Sequence, residues 1–432
     1  MDYRRKLRVG AVSVALPVVM VGGVFAFPGT SDVPLSPVSA AAAAAPGKAD
    51  FVIKRGAGKA KVVRALDKKL KKSGVQALLN AKGNRKLRAE GSKGCPPKKA
   101  QVPGKALTYC WASGEDSVKE KWIPQGVSSV SDAKDNEKWG SAGYTMVVTW
   151  YAPKAKNIRV TFVNLKKRTY RHVLLVMPGM TKGKKPSYRD IESHAGGVAW
   201  YGNHLYVAET QLGLRVFDMR RIFDLGKSEN GTTKKKGRVG LHGKTYYGHG
   251  YRYVMPQVGS WVNAKGKGPL KSCKAGGPPK WSWVSVDRSG VDSLVTGEYC
   301  PKGSGRNAPN GRMATWRLRN GEPSTGADGR ARALAVSTLP VKRVQGGVTA
   351  YLNGGEEHAW FGHNATGKGA RPGVLLHAVW NRSKGRWEKK STQSLARGPE
   401  DLSCYRGQDR IWTVAEHAKQ RALYGVPVTK CG

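Results

Sequence analysis

Acidic residues are scarce in this chain. Its 432 residues hold 29 Asp and Glu against 75 Lys and Arg, a formal net charge of +46. That imbalance excludes an acidic surface, and it attracts and steers polyanions from a distance. Three kinds of partner follow, in order: anionic cell-wall polymers, membrane headgroups and nucleic acid, although high charge also serves simply to keep a chain soluble. No specific nucleic-acid motif accompanies the charge. The six cysteines include no C-x-x-C pair, which argues against a zinc clamp. No G-x-S-x-G, H-E-x-x-H or phosphate-loop pattern occurs, so three common catalytic frameworks have no foothold. Phenylalanine is sparse at 7, whereas glycine at 55 and tryptophan at 13 are abundant, a balance that suits many short strands joined by turns.

The clearest pattern is HAGGVAWYGNHLYVAETQLGLRVFDM, residues 194–219. No helical period fits it. Apolar and aromatic residues alternate with small or polar ones over 197–201, 205–209 and 214–218, and tight turns separate these runs. The same grammar recurs four more times. The other copies are 125–130, 145–151 and 157–163; 282–287, 293–299 and 312–318; 345–351, 358–363 and 373–380; and 399–405, 410–416 and 421–426. Each begins small or polar and continues as an apolar strand, a turn, a second apolar strand and a third. Fourth strands are expected at 170–177, 251–255, 332–339 and 387–394. Repeated four-stranded antiparallel units stacked about an axis are the mark of an all-β β-propeller, because a blade buries its two faces only against its neighbours. Five blades are expected, or six if 106–123 carries more strands. The last copy shows three strands, so 107–111 is the candidate to complete it and close the ring. Long Lys/Gly-rich insertions are expected at 224–244 and 262–280.

Before the repeats, Arg4, Arg5, Lys6 and Arg8 precede an apolar run over 9–27 and an alanine tract ending at Ala45. This reads as a signal peptide over 1–45, with an uncleaved membrane anchor as the alternative. Either one places the remainder outside the cytoplasm, secreted or anchored to the outer face of the membrane. Residues 46–105 read as a basic, largely disordered linker or arm, and 106–432 as the propeller. Residues 48–105 hold 18 Lys and Arg against three acids, a net of +15. A short amphipathic helix over 60–79, with Val63, Leu66 and Leu70 on one side and a break at Gly74, competes with a solvated linker. Residues 106–432 keep a net of +29, so the folded body is itself basic. Behind an export signal the cysteines favour disulfides. Pairing of neighbours gives Cys95–Cys110, Cys273–Cys300 and Cys404–Cys431, with Cys110–Cys431 as the rival.

GGVAWYGNHLYVAETQLGLRVFDM resembles the blade motif of secreted bacterial β-propeller proteins, over roughly residues 122–428. The resemblance implies fold more than function, because propellers host lectins, lactonases, glycosidases and interaction platforms. Calcium-type propeller lactonases bind their metal at the axis. Glu400 and Asn364 are possible matches here, but no complete ligand set aligns, so no cofactor is expected.

Antiparallel strands put the start of each first strand at the same end of the ring as the finish of the second. The starts are Gln125, His194, Trp281 or Ser282, Gln345 and Glu400; the finishes are Tyr151, Glu209, Glu298, His363 and Glu416. Nearly all are polar, and they are read as a binding face at the channel mouth. Glu209, Glu298 and Glu416 read equally as acceptors for loop backbone or as partners of Arg and Lys. His194 with Glu400 is a candidate acid–base pair. Trp200, Trp281, Trp283, Trp360, Trp380 and Trp412 could stack on sugars, although packing between blades is the commoner use. A metal at His358 and His363 is disfavoured. The function expected is binding of an anionic polymer or glycan at or beyond the cell surface. The alternatives are an extracellular hydrolase or lyase acting on a carbohydrate or lactone, and a protein scaffold. Oligomeric state is not readable.

Overall fold

Five antiparallel units of four strands follow one another around an axis. They are seen in a computed structural model described over residues 46–432, apart from 113, 115, 118–120, 155–156, 271–272, 302–309 and 365–370. The signal peptide or anchor expected over 1–45 lies outside the described residues. Blade I is Ile123–Ser129, Thr145–Ala152, Asn157–Asn164 and Thr169–Met180. Blade II is Val198–Tyr201, His204–Glu209, Gly213–Asp218 and Tyr253–Asn263. Blade III is Trp283–Asp287, Ser293–Gly297, Arg312–Arg319 and Ala335–Thr338. Blade IV is Val344–Leu352, Glu356–His363, Gly373–Asn381 and Arg386–Leu395. Blade V is Pro399–Tyr405, Arg410–Ala415 and Ala422–Pro427, and Leu107–Cys110 supplies its outer strand by pairing antiparallel with Ala422–Gly425. The innermost strands touch in cyclic order, blade V returning to blade I. The chain is therefore a five-bladed β-propeller closed by a strand from before the first blade.

The narrowness of that inner ring explains the small residues at the strand starts. A Cβ on Gly197 would lie 2.4 Å from the amide nitrogen of Val284 in blade III. One on Gly346 would lie 2.5 Å from the carbonyl carbon of Asp401 in blade V. Backbone meets backbone there, and only glycine fits. At the axis Asp401 joins three blades. Its side chain is 1% exposed, and Oδ2 accepts from Val127 N at 3.1 Å and Val198 N at 2.9 Å. Nearby, Asp132 accepts from the Ser128 and Ser403 hydroxyls, each at 2.7 Å, and from Ser129 N at 3.3 Å. Indoles fill the space around the blades: Trp150, Trp200, Trp281, Trp283 and Trp412 are 0–1% exposed. Trp360 is 4% exposed, and Trp380 packs beside Trp387. Packing, and not an open stacking platform, is what these rings do.

The fourth strand of blade II departs from its expected bounds. Residues 257–262 pair with Gly213–Phe217, while 254–256 run parallel to Leu174–Val176 of blade I. One long strand thus serves two blades, which an expectation of 251–255 could not contain.

The basic segment over 46–105 also differs from expectation. It is folded onto the ring, not a largely disordered arm. Val52–Arg55 pairs with Trp261–Asn263 of blade II and with Arg330–Arg332. Lys72–Ser73 pairs with Ile222–Phe223, Arg85–Lys86 with Thr169–Tyr170, and Arg88–Ala89 with the closing strand. The expected helix is two, Ala60–Asp67 and Val75–Asn80, broken before Val75 at Gly74. The physical reason is apolar content hidden among the lysines. Phe51, Ile53, Val63, Leu66, Leu70, Val75, Leu78 and Leu79 are all buried, and burying such a set offsets the entropy of ordering the segment. Contacts therefore cross the boundary expected at 105/106. The three disulfides are Cys95–Cys110, Cys273–Cys300 and Cys404–Cys431, pairing of neighbours throughout.

Candidate functional site

Two pairs of these residues meet across blade boundaries. Gln345 Nε2 of blade IV donates to Glu400 Oε1 of blade V at 2.6 Å. Gln125 Nε2 of blade I donates to Glu416 Oε2 of blade V at 3.2 Å. Glu400 and Glu416 also hydrogen bond to each other. Burial, and then the neighbouring Glu416, hold the Glu400 carboxyl well above the usual range, and burial raises Glu416 too. Two adjacent carboxylates are costly to ionise together out of water, which is the physical reason for both shifts. Tyr151 lies close enough to feel both: burial, then Glu416 and Glu400, push its phenol up to about 12. The ring of His194 sits over Tyr151 with centroids 4.2 Å apart.

The other expected members are engaged elsewhere. Arg215 grips Glu209 Oε2 through Nε at 3.0 Å and Nη2 at 2.8 Å. Glu298, with no exposed side-chain surface, accepts from Arg312 Nη2 at 2.8 Å, from Arg312 Nε at 2.9 Å and from Lys280 N at 2.9 Å. His363 Nδ1 lies 3.3 Å from the carbonyl oxygen of Asn364. His194 and Glu400 make no described hydrogen bond to each other. The mouth thus offers amide, phenol, imidazole and carboxyl groups. That set can hydrogen bond a polyhydroxyl ligand.

A second site was missed from sequence. A cavity of about 470 Å³ lies beside blade I. Its wall comes from remote stretches: Gly83 and Arg85, Lys121 and Trp122, Asn157 and Arg159, Tyr170 to His172, Asp190, and Lys236 with His249 to Arg252. Its floor is organised by Asp116, which has no exposed side-chain surface. Asp116 accepts from Arg159 Nη2 at 2.7 Å, Tyr170 OH at 2.7 Å, His172 Nε2 at 3.1 Å and Arg85. Burial opposes its ionisation, but His172, Arg159 and Arg85 override that and hold it far below the usual carboxylate range. Burial, and then Arg159, lower His172 to about 4. At neutral pH it is therefore an uncharged imidazole, donating Nε2–H to Asp116 and accepting at Nδ1 from the Thr161 hydroxyl at 2.7 Å.

Arg159 is 2% exposed and lies between two indoles, its guanidinium 4.3 Å from the Trp122 ring and 4.8 Å from the Trp150 ring. Six cations line the cavity: Arg85, Lys121, Arg159, Arg171, Lys236 and Arg252. Asp190 is the one carboxylate in that lining, and it faces His249 at 2.9 Å. One sequence signal could have found this place. Asn157, Arg159 and His172 are polar residues at buried positions of otherwise apolar strands, a pattern that marks a functional or networked site.

Among the described residues no helix is long and apolar enough to cross a membrane. The one cluster with metal-ligand spacing among them is Cys273, Glu298 and Cys300. Its thiols form a disulfide and its carboxylate is held by Arg312, so it does not fit a metal.

No protein-family model matches the chain, and no curated protein matches it. Solved structures give loose likenesses. An endo-arabinase from Bacteroides thetaiotaomicron VPI-5482 is 12% identical, covering 72% of this chain and 96% of its own, with a TM-score of 0.34. The WD40 repeats of RRP9 are 8% identical, covering 79% and 99%, with a TM-score of 0.28. U3-55K is 8% identical, covering 84% and 99%, with a TM-score of 0.26. Superpositions this loose carry no argument about this chain. The propeller rests on its own strand pairing.

Proposed function

We propose that this chain is an exported propeller that binds an anionic polymer or glycan at or beyond the cell surface. The observation that carries the reading is the concentration of six cations around one 470 Å³ cavity, Arg85 and Arg159 paired with Asp116 and Arg252 with Asp224, in a body whose acids are few. Fixed charges in a concave, partly desolvated wall attract anions more strongly than the same charges spread over a convex surface. The three disulfides suit an oxidising compartment. The hydrolase reading draws on a different observation, the adjacent carboxyls of Glu400 and Glu416 at the channel mouth, both raised by burial.

The test is binding of the purified chain to soluble polyuronate and to a phosphate-backbone polymer, with polymer length followed over time. Affinity should fall by about tenfold or more as salt rises from about 0.05 to about 0.15 M, because exposed charges are screened over that range. Binding indifferent to salt, or absent, refutes the reading. Shortening of the polymer that stops in a Glu400→Gln variant moves the assignment to a hydrolase. Deleting residues 48–105 is not a usable control, since that segment is part of the folded body.

A further inference from the structure

His249, in the wall of the cavity beside blade I, stands between two groups that only accept hydrogen bonds. Its Nδ1 lies 3.0 Å from the carbonyl oxygen of Lys236, and its Nε2 lies 2.9 and 3.1 Å from the two carboxylate oxygens of Asp190. Neither a carbonyl nor a carboxylate supplies a proton, so both ring nitrogens must carry one. The arrangement is complete as an imidazolium. A neutral ring breaks it, having one N–H for two acceptors. The backbone is set for this placement: His249 has φ +50°, uncommon for a residue with a side chain, and its amide donates to Arg238 O at 2.8 Å. Ring and carboxylate are 22% and 26% exposed, so solvent protons reach the pair.

What the ring holds is a loop with little else to hold it. Residues 233–238 are all exposed. Among the described residues, the bond from His249 to Lys236 O is the one hydrogen bond that ties 233–237 to anything beyond 232–238. The hairpin that follows, Val239–His242 with Thr245–Gly248, is docked independently: Tyr246 OH donates to Pro186 O at 2.8 Å, and Leu241 N to Ser187 Oγ at 2.9 Å. The loop carries Lys234, Lys235 and Lys236, and Lys236 lines the cavity. Resting on the reading of an anionic-polymer binder, we propose that His249 is a proton-operated latch on this cavity. As an imidazolium it ties the loop to Asp190 and adds its own charge to the wall. On losing the proton it releases the loop, and the cavity holds an anion more weakly. The hydrogen bond to Asp190 raises the His249 pKa above its ordinary value, outweighing burial and the repulsion of Lys121. Of the other cations in the same wall, Arg85 and Arg159 are paired with Asp116, Arg252 with Asp224, and Arg171 donates to Asn84. A group raised in the fold keeps its charge in acid and loses it as pH climbs through the folded value. The latch is therefore shut at low pH and opens on the alkaline side of an ordinary histidine.

The experiment follows three readouts of the disulfide-bonded chain from about pH 5 to about pH 9. His249 is titrated by NMR, its signal assigned by its absence in His249→Asn, a replacement that tolerates positive φ. Its midpoint should lie above the value of about 6.5 for a free imidazole, and Asp190→Asn should lower it. Trypsin nicking at Lys234, Lys235 and Lys236, normalised at each pH to a free peptide of the same sequence, should rise about tenfold across that midpoint. In His249→Asn nicking should be fast and independent of pH. Binding of a soluble polyuronate at fixed salt should weaken by about threefold or more over the same range, and lose that dependence in His249→Asn. A midpoint at or below the free value, nicking independent of pH in the parent, or a midpoint unmoved in Asp190→Asn overturns the latch. If His249→Asn fails to fold, Asp190→Asn decides, because nicking and the NMR midpoint must shift together. Nicking that follows His249 while polymer binding stays flat overturns its control of the site and leaves the broader function standing. No polymer binding at any pH removes the broader function, and the loop readouts still decide the latch.

Discussion

Replacing Asp401 should separate its roles at the axis of the ring. In Asp401→Ala the amides of Val127 and Val198, in blades I and II, lose their shared acceptor. Leaving a buried N–H unpaired costs about 1–3 kcal/mol each. Asp401 also has φ +53°, in the left-handed region, which disfavours alanine by about 1 kcal/mol relative to residues that tolerate it. The sum is about 3–7 kcal/mol, against a typical total stability of about 5–15 kcal/mol. Asp401→Gly relieves the backbone but not the amides, so it should recover only about 1 kcal/mol of that loss. Asp401→Asn should cost less than about 1.5 kcal/mol. Burial keeps the native carboxyl well above its usual pKa, so the neutral amide is close to isosteric and keeps an acceptor oxygen. The assay is equilibrium urea unfolding of the four proteins with disulfides intact, compared by midpoint. An alanine variant within about 1 kcal/mol of the parent would refute the reasoning, because water in the channel would then be satisfying both amides.

Two further outcomes follow from the same ring. Gly197→Ala puts a Cβ 2.4 Å from the Val284 nitrogen; the backbones must part, and thermal unfolding should show a loss of at least about 3 kcal/mol, whereas an unchanged midpoint would mean the inner strands are not this close. Asp132 is raised to about 6 by burial, against the opposing pull of the Ser128 and Ser403 hydroxyls. A carboxyl protonated in the fold and ionised when unfolded contributes stability at low pH and loses it as pH climbs to the folded value. Stability measured from about pH 4 to about pH 6 should therefore fall with a slope that Asp132→Asn reduces, by a total of about 3 kcal/mol; an identical slope in the variant would refute the assignment.

Much of the fold was legible because a blade is a local object. Alternation, turn residues and the inner-strand glycines of blades I, II and IV are short-range signals, and five copies reinforced one register. That register also put Gln125, Gln345, Glu400 and Glu416 on one face, since strand polarity alone puts starts and finishes together; that Gln125 meets Glu416 and Gln345 meets Glu400 came from the structure. It could not say which glutamates were already taken. Arg215 and Arg312 lie in third strands of the same blades as Glu209 and Glu298, and cross-strand ion pairs recur wherever the sheet repeats. The basic segment was misread because lysine density outweighed eight scattered apolar residues, whose partners lie far along the chain on blades I, II and III.

The sequence by itself determined the repeat, its polarity and the excess of positive charge. Each of these is set by composition or by residues near one another along the chain. Only the tertiary structure decided where the charge converges. Arg85 comes from the N-terminal segment, Asp116 from the approach to blade I, Arg159 and His172 from its outer strands, and Lys236 from an insertion in blade II. A cavity built from pieces so far apart along the chain has no period and no spacing. It exists because burying the apolar residues of the basic segment brings Arg85 against Asp116, and that contact fixes the floor on which Arg159 and Asn157 are left without partners.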